Sequence, residues 1–178
     1  MNRHTEPPAT VRHIVGDLVS HLELHGGNPV PVETELARCL GRLLNIEDLF
    51  SQGIPRDASH HGKIDSVTIY FDPELTIAMA RFAKGHVIPT HAHEAWEIVG
   101  VCRGELEYTS YRPGDGTSSA SELEVAECVV VNAGDISPCA RSGETHTVRA
   151  LSDVEVLAMR GFVGGRSGKS RGTEPRRL

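Results

Sequence analysis

The sequence predicts a mainly β chain, a sandwich or barrel of short strands, preceded by a pair of short α-helices. Three observations predict it. Through about residue 52 the apolar positions recur at helical spacing. After Gly53 they shift to short runs rich in Val, Ile, Thr and Tyr. Turn residues punctuate those runs regularly, and no strand–helix alternation develops. At 178 residues the chain fits one ordinary domain with a single core and room for terminal extensions.

Residues 1–9 form a polar arm containing two prolines. The first helix is read from Val11, Ile14, Val15, Leu18, Val19 and Leu22, one face of a 3.6-residue period, and Gly26-Gly27 ends it as a C-cap. The second is read from Val32, Leu36, Cys39, Leu40, Leu43 and Leu44, with Pro31 before it and Glu33 in its first turn. Asn45–Phe50 adds a short further turn. Residues 10–52 thus form a helical extension that needs a surface to pack on. Residues 53–163 form the β domain, with strands expected at Val67–Phe71, Leu75–Phe82, Ala95–Cys102, Glu105–Tyr111, Leu123–Val131, Thr145–Ala150 and Val154–Met159. Asp72-Pro73, Arg112–Gly116 and Asn132–Asp135 supply the turns, and Gly116–Ser121 reads as a flexible loop. Residues 164–178 carry five basic residues and one acid, a Gly/Ser/Arg composition expected to stay disordered as a solvated tail.

Composition narrows the function classes. The net charge of −6 divides into +4 on the tail and −10 on the rest, and aromatic residues are 4% of the chain. A negative body with few stacking rings does not suit nucleic acid. No apolar run approaches the roughly 20 residues that span a bilayer, and the polar start lacks the apolar segment of a signal peptide, so a cytoplasmic protein with no membrane partner is expected. Cys39, Cys102, Cys128 and Cys139 form no C-x-x-C pair and read as free thiols packed as small apolar residues.

Histidine is the unusual component, ten in all. The informative segment runs from Gly85 to Gly104. On an extended chain, residues two apart face the same way, so His91 and His93 present both imidazoles to one side. Glu97, across a bend, completes a nitrogen and oxygen donor set suited to Fe(II), Mn, Ni, Co, Cu or Zn.

Gly85, His91, His93, Glu97 and Gly104 match at every position the first motif of the cupin superfamily, G-x5-H-x-H-x3-E-x6-G. The second motif, G-x5-P-x-G-x2-H-x3-N, is met in part by Gly134, Pro138, Gly143 and His146; two gaps differ, and Ala150 stands where the family has Asn. The chain therefore resembles cupins over about residues 66–160. The resemblance implies a double-stranded β-helix (jelly-roll) barrel with the N-terminal helix pair added to it. It also implies His91, His93, Glu97 and His146 as ligands of one divalent metal. Within cupins, the two helices and the phrases His91–Val101 and His146–Asp153 are similar to the cysteine dioxygenase-like group, which uses Fe(II), three histidines and O₂. The sequence departs from that group in two ways. Glu97 is present where those enzymes generally lack a glutamate, and Leu157–Phe162 carries neither the His nor the Tyr of their late-strand Ser-His-Tyr set.

Other residues are weighed against plainer roles. Arg81, on the strand Leu75–Phe82, is a candidate to bind a substrate carboxylate, the plainer reading being a solvated outward Arg. Tyr108 and Tyr111 are candidates to line the barrel mouth, Tyr108 as a catalytic group beside Glu97, the plainer reading being sheet packing. Trp96 alternates with Glu97 and should point into packing. His86 is expected to be exposed, and His13, His21, His25, His60 and His61 to be solvated. Cys102 is out of phase with Glu97 and has no redox role. The expected function is a non-haem Fe(II) dioxygenase acting with O₂ on a small, polar, metal-chelating substrate. The alternatives are a redox-neutral isomerase, lyase or hydrolase using Mn, Ni or Zn, and a non-catalytic small-molecule-binding cupin. Exposed strand edges and the helical arm suit a homodimer.

Overall fold

The computed structural model describes residues 10–56, 64–114 and 123–162. The arm 1–9, His60-His61, the loop expected at Gly116–Ser121 and the tail 164–178 lie outside the described residues.

The first helix, α1 (Val11–Leu24), starts at Thr10, whose hydroxyl accepts from the His13 N–H. It ends as the double glycine predicts: the Gly26 N–H reaches the Glu23 carbonyl and the Gly27 N–H the Leu22 carbonyl, the Schellman pattern. The second, α2 (Glu33–Leu44), carries Glu33 and Glu35 in its first turn, where the helix dipole favours acids. Arg42 ties it to Asp17 of α1 at 2.7 Å. A 3₁₀ turn at Leu49–Gln52 leads into the sheets.

The strands are β1 (Ile54–Pro55), β2 (Asp65–Phe71), β3 (Leu75–Phe82), β4 (Val87–His91), β5 (Trp96–Arg103), β6 (Glu105–Pro113), β7 (Leu123–Asn132), β8 (Thr145–Ala150) and β9 (Val154–Gly161). They pair antiparallel in a sheet ordered β1-β2-β3-β9-β5 and a second ordered β4-β8-β6-β7, a jelly-roll barrel. The segment after β7 covers the free edge of β5, with reciprocal backbone bonds between Glu97 and Ala140. The short β1 and β4 had no strand signal: β1 has two residues, and β4 is mostly exposed and contains Pro89.

The five-stranded sheet is buried on both faces. Its outer face, Ile77, Met79, Trp96, Ile98, Leu157 and Met159, packs against Ile14, Leu18, Leu36, Leu40 and Leu43 of the helices. Its inner face, Val99, Val101, Val154 and Val156, meets Leu106, Tyr108, Val131 and Val148 across the barrel. The helices therefore form a third layer, and β5 reads as a continuous apolar run interrupted by Glu97 and Gly100. Gly100 sits directly under α2: a Cβ there would come within 2.9 Å of Leu44.

Three single side chains, those of His86, Cys128 and His21, sit differently from the expectation. His86 is half-buried, stacked on Phe82 at 5.3 Å, because the Ala83–His86 turn folds it back over the strand end. Cys128 is exposed, because β7 is an edge strand with most of its length open to solvent. His13 and His25 are exposed as expected, whereas His21 is half-buried 3.9 Å from Glu35. Among the described residues no helix is long and apolar enough to cross a membrane.

The β5–β6 turn depends on Gly104, which has φ of +84° and lies against the Asp153 backbone carbonyl. Gly104→Ala adds a left-handed backbone penalty to a collision with main chain. It is expected to lower stability by about 2–3 kcal/mol, read as a shift in urea midpoint at unchanged slope.

Candidate metal centre

His91 closes β4 and is the register partner of His146 on β8, so a single cross-strand pair brings two imidazoles together. His93 lies just past β4 in the turn toward β5; it joins the pair through the bend of the chain, and strand alternation does not place it. The Gly143 N–H donates to the His93 carbonyl at 2.8 Å and the Ser142 hydroxyl to the Glu94 carbonyl, stitching the two ligand-bearing loops together. Glu97 comes from β5 in the other sheet, on its inner face with Val99 and Val101.

The donor atoms of His91, His93 and His146 lie within 4.8 Å of one another, so this group could hold a metal ion. His91 Nδ1 contacts the Pro89 carbonyl at 2.8 Å, and His146 Nδ1 the Glu144 carbonyl at 3.2 Å. A carbonyl only accepts, so each Nδ1 carries the hydrogen and each Nε2 keeps a lone pair, as metal-binding histidines require. The Nε2 atoms of His93 and His146 are buried without a hydrogen-bond partner. Glu97 Oε2 stands 3.2 Å from the first and 3.5 Å from the second. Lone pairs facing a carboxylate in a closed space are costly unless a cation sits among them, so the donor set fits a divalent metal.

Electrostatics keep that set in its binding form. Burial depresses the His91 and His93 pKa values below the ordinary histidine range, and Arg160 adds to it, so both imidazoles stay neutral. Burial alone would raise the Glu97 pKa. The Arg160 guanidinium beside it counters burial and holds the carboxyl below the usual carboxylate range. Arg160 Nε donates to Glu97 Oε1 at 2.6 Å, and the two residues are register partners across β5 and β9.

Of the other sequence candidates, Tyr108 is at the site. It is 4% exposed, its ring stacks on His146 at 5.1 Å, and its hydroxyl donates to Glu144 at 3.4 Å. Burial, then the Glu144 charge, raises its pKa strongly, so the phenol keeps its proton. Tyr111, an odd number of positions away, is the register partner of Thr145 and Val125 and is only partly buried. Trp96 packs away from the histidines, with its Nε1–H on the Gly27 carbonyl. Arg81 is not brought to the histidines. It shares the outer face of β3 with Ile77 and Met79, lies over the Phe50 ring at 3.7 Å, and pairs with Glu155 at 2.6 Å. Cys102 borders the helix-side core; burial and then the Glu155 charge push its thiol up to about 12, so it stays protonated. Arg160 was not among the sequence candidates. It lies one residue beyond the strand expected at Val154–Met159; the strand in fact continues to Gly161, and only the β5–β9 register puts Arg160 beside Glu97.

No family model and no curated protein sequence matches the chain. Among solved structures, KdgF from Halomonas sp. is 23% identical with a TM-score of 0.47, over 62% of this chain and 89% of that one. An RmlC-like cupin from Shewanella frigidimarina is 18% identical with a TM-score of 0.47, over 66% and 88%. The structural neighbours include cupins. The DMSP lyase DddQ from Ruegeria pomeroyi is 16% identical with a TM-score of 0.45, over 68% of this chain and 56% of its own.

Proposed function

We propose that this chain is a metal-dependent enzyme of the cupin kind, a non-haem Fe(II) dioxygenase that acts with O₂ on a small, polar, metal-chelating organic substrate. The observation that carries the metal reading is the pair of buried, unpartnered Nε2 atoms of His93 and His146, turned toward Glu97 Oε2. His91, His93 and His146 would hold the ion, with Glu97 as the fourth, anionic donor. A divalent ion in that set supplies a Lewis acid and, as Fe(II), electrons for O₂. Neutral imidazoles with one carboxylate suit iron and leave coordination positions for a chelating substrate. The resemblance of the helix pair and motif phrases to thiol dioxygenases supports O₂ chemistry.

The chain's own residues do the orienting. The Pro89 and Glu144 carbonyls fix the ring planes of His91 and His146. Arg160 holds one oxygen of Glu97 so that the other faces the histidines. Tyr108 keeps its proton and closes the inner wall against His146. The buried Tyr108 hydroxyl beside His146 favours a second reading, a redox-neutral reaction at Mn, Ni or Zn in which that hydroxyl donates a hydrogen bond to the substrate.

Metal analysis of protein from unsupplemented cells, followed by oxygen-electrode assays with thiols, β-diketones and catechols, tests these readings. Stoichiometric iron and O₂ uptake with one substrate class is the expected result. Iron-loaded protein inert toward the whole panel removes the dioxygenase reading. Native Mn, Ni or Zn selects the redox-neutral one, and absence of any metal removes both.

A further inference from the structure

Arg160 is more exposed than the carboxylate it holds. Its side chain retains 42% of its accessible surface against 4% for Glu97. The contact uses Nε alone, at 2.6 Å. Arg–carboxylate pairs often close as two parallel bonds. Here Glu97 gives Arg160 one oxygen and turns the other toward His93 and His146. The two terminal nitrogens of the guanidinium donate to no other group among the described residues. A group serving only to anchor Glu97 has no need of an open, unspent fork beside a metal centre.

Charge points the same way. Glu97 and Arg160 cancel, so a divalent ion would leave the centre strongly positive. A guanidinium fork matches a carboxylate in shape and charge.

We propose that Arg160 is a substrate-binding residue and that the centre takes a carboxylate-bearing chelator. One carboxylate oxygen pairs with the exposed Arg160 fork while the ligand's chelating atoms face the histidine set. This rests on the metal reading and deepens it. It also assigns to Arg160 the role that the sequence had offered to Arg81, whose guanidinium is spent on Glu155 and Phe50.

The test compares oxalate with imidazole, a neutral metal-binding probe, by calorimetry on metal-loaded wild type, Arg160→Gln and Arg160→Lys, with metal content measured on each sample. In Arg160→Gln, oxalate should weaken by about 10–100-fold, the range for charge-assisted hydrogen bonds, while imidazole binding holds within about twofold. Arg160→Lys, which keeps the charge and loses the fork, should lie between. Full metal in all three with equal oxalate affinity overturns this inference and leaves the metal reading standing. Equal weakening of both probes, or loss of metal from both variants but not from wild type, makes Arg160 an anchor for Glu97 alone and also overturns it. If only Arg160→Gln loses metal, the Lys variant decides by the same comparison. Wild type that binds no metal ends the parent reading, and this inference with it.

Discussion

His91→Ala is expected to yield a folded protein that no longer retains metal and has lost all metal-dependent activity. The position suits a clean deletion. His91 is the last residue of an exposed, five-residue strand and is itself only partly buried, so truncation opens little cavity. What it removes is one of three nitrogen donors whose geometry is already set by the Pro89 carbonyl. Changes to groups that merely orient a ligand cost about 10–100-fold in metal affinity, so loss of the ligand should exceed that range. Stability gives a second readout. At a free metal concentration near 1,000 times Kd, binding adds about 4 kcal/mol to the native state, on the order of 10 °C in Tm for a chain of this size. Wild type should show that increment and lose it with chelator. His91→Ala should melt with chelator-treated wild type whether or not metal is added. Stoichiometric metal in the purified variant would remove His91 from the ligand set.

The contrast between His91 and Arg160 shows what was legible before the structure. Motif spacing marks His91, His93 and Glu97 directly, and a Gly-x2-His step marks His146. Strand limits followed for Leu75–Phe82 and Thr145–Ala150, which agree at both ends, whereas β6 runs on through Arg112 and Pro113, expected in a turn, and β9 runs on to Gly161. The helix pair was legible from its stripes, and so was its need for a partner surface, which is the outer face of the five-stranded sheet. Register was not legible. Arg160 meets Glu97 through the β5–β9 alignment, a contact between residues 63 positions apart that neither strand encodes alone. Arg81 failed as a candidate for a related reason. Both faces of β3 are apolar, Leu75, Ile77 and Met79 on one and Ala78, Ala80 and Phe82 on the other, so alternation cannot say which looks into the barrel. The surrounding layers decide it, and they put Arg81 on the helix side.

Gly161→Ala is expected to be strongly destabilising although it adds a single methyl group. Gly161 is the register partner of Trp96, and the indole packs directly against it: an added Cβ would meet Cζ2 and come within 2.6 Å of Cε2 and 2.9 Å of Nε1. These are ring atoms that cannot bend away. The indole is 1% exposed and held by its Nε1–H on the Gly27 carbonyl at the cap of α1. Accommodating the methyl therefore means tilting Trp96, which combines an overpacking cost of about 1–3 kcal/mol with a lost hydrogen bond of about 1 kcal/mol. A total near 3 kcal/mol is a large part of a usual domain stability of about 5–15 kcal/mol, and corresponds to roughly 6–12 °C in Tm. Adding Trp96→Leu, which clears the space, should make the double variant more stable than the sum of the two single losses. That positive coupling identifies the ring as the obstacle. The site should feel the same shift, because Trp96 precedes Glu97 on β5 and Gly161 follows Arg160 on β9. One disturbed ladder step therefore sits directly beside the pair that aims the carboxylate at the histidines. Metal affinity should fall along with stability in Gly161→Ala and recover with it in the double variant. If stability falls while metal affinity is untouched, the Glu97–Arg160 pair is held by the barrel interior and not through the helix-facing side of its strands.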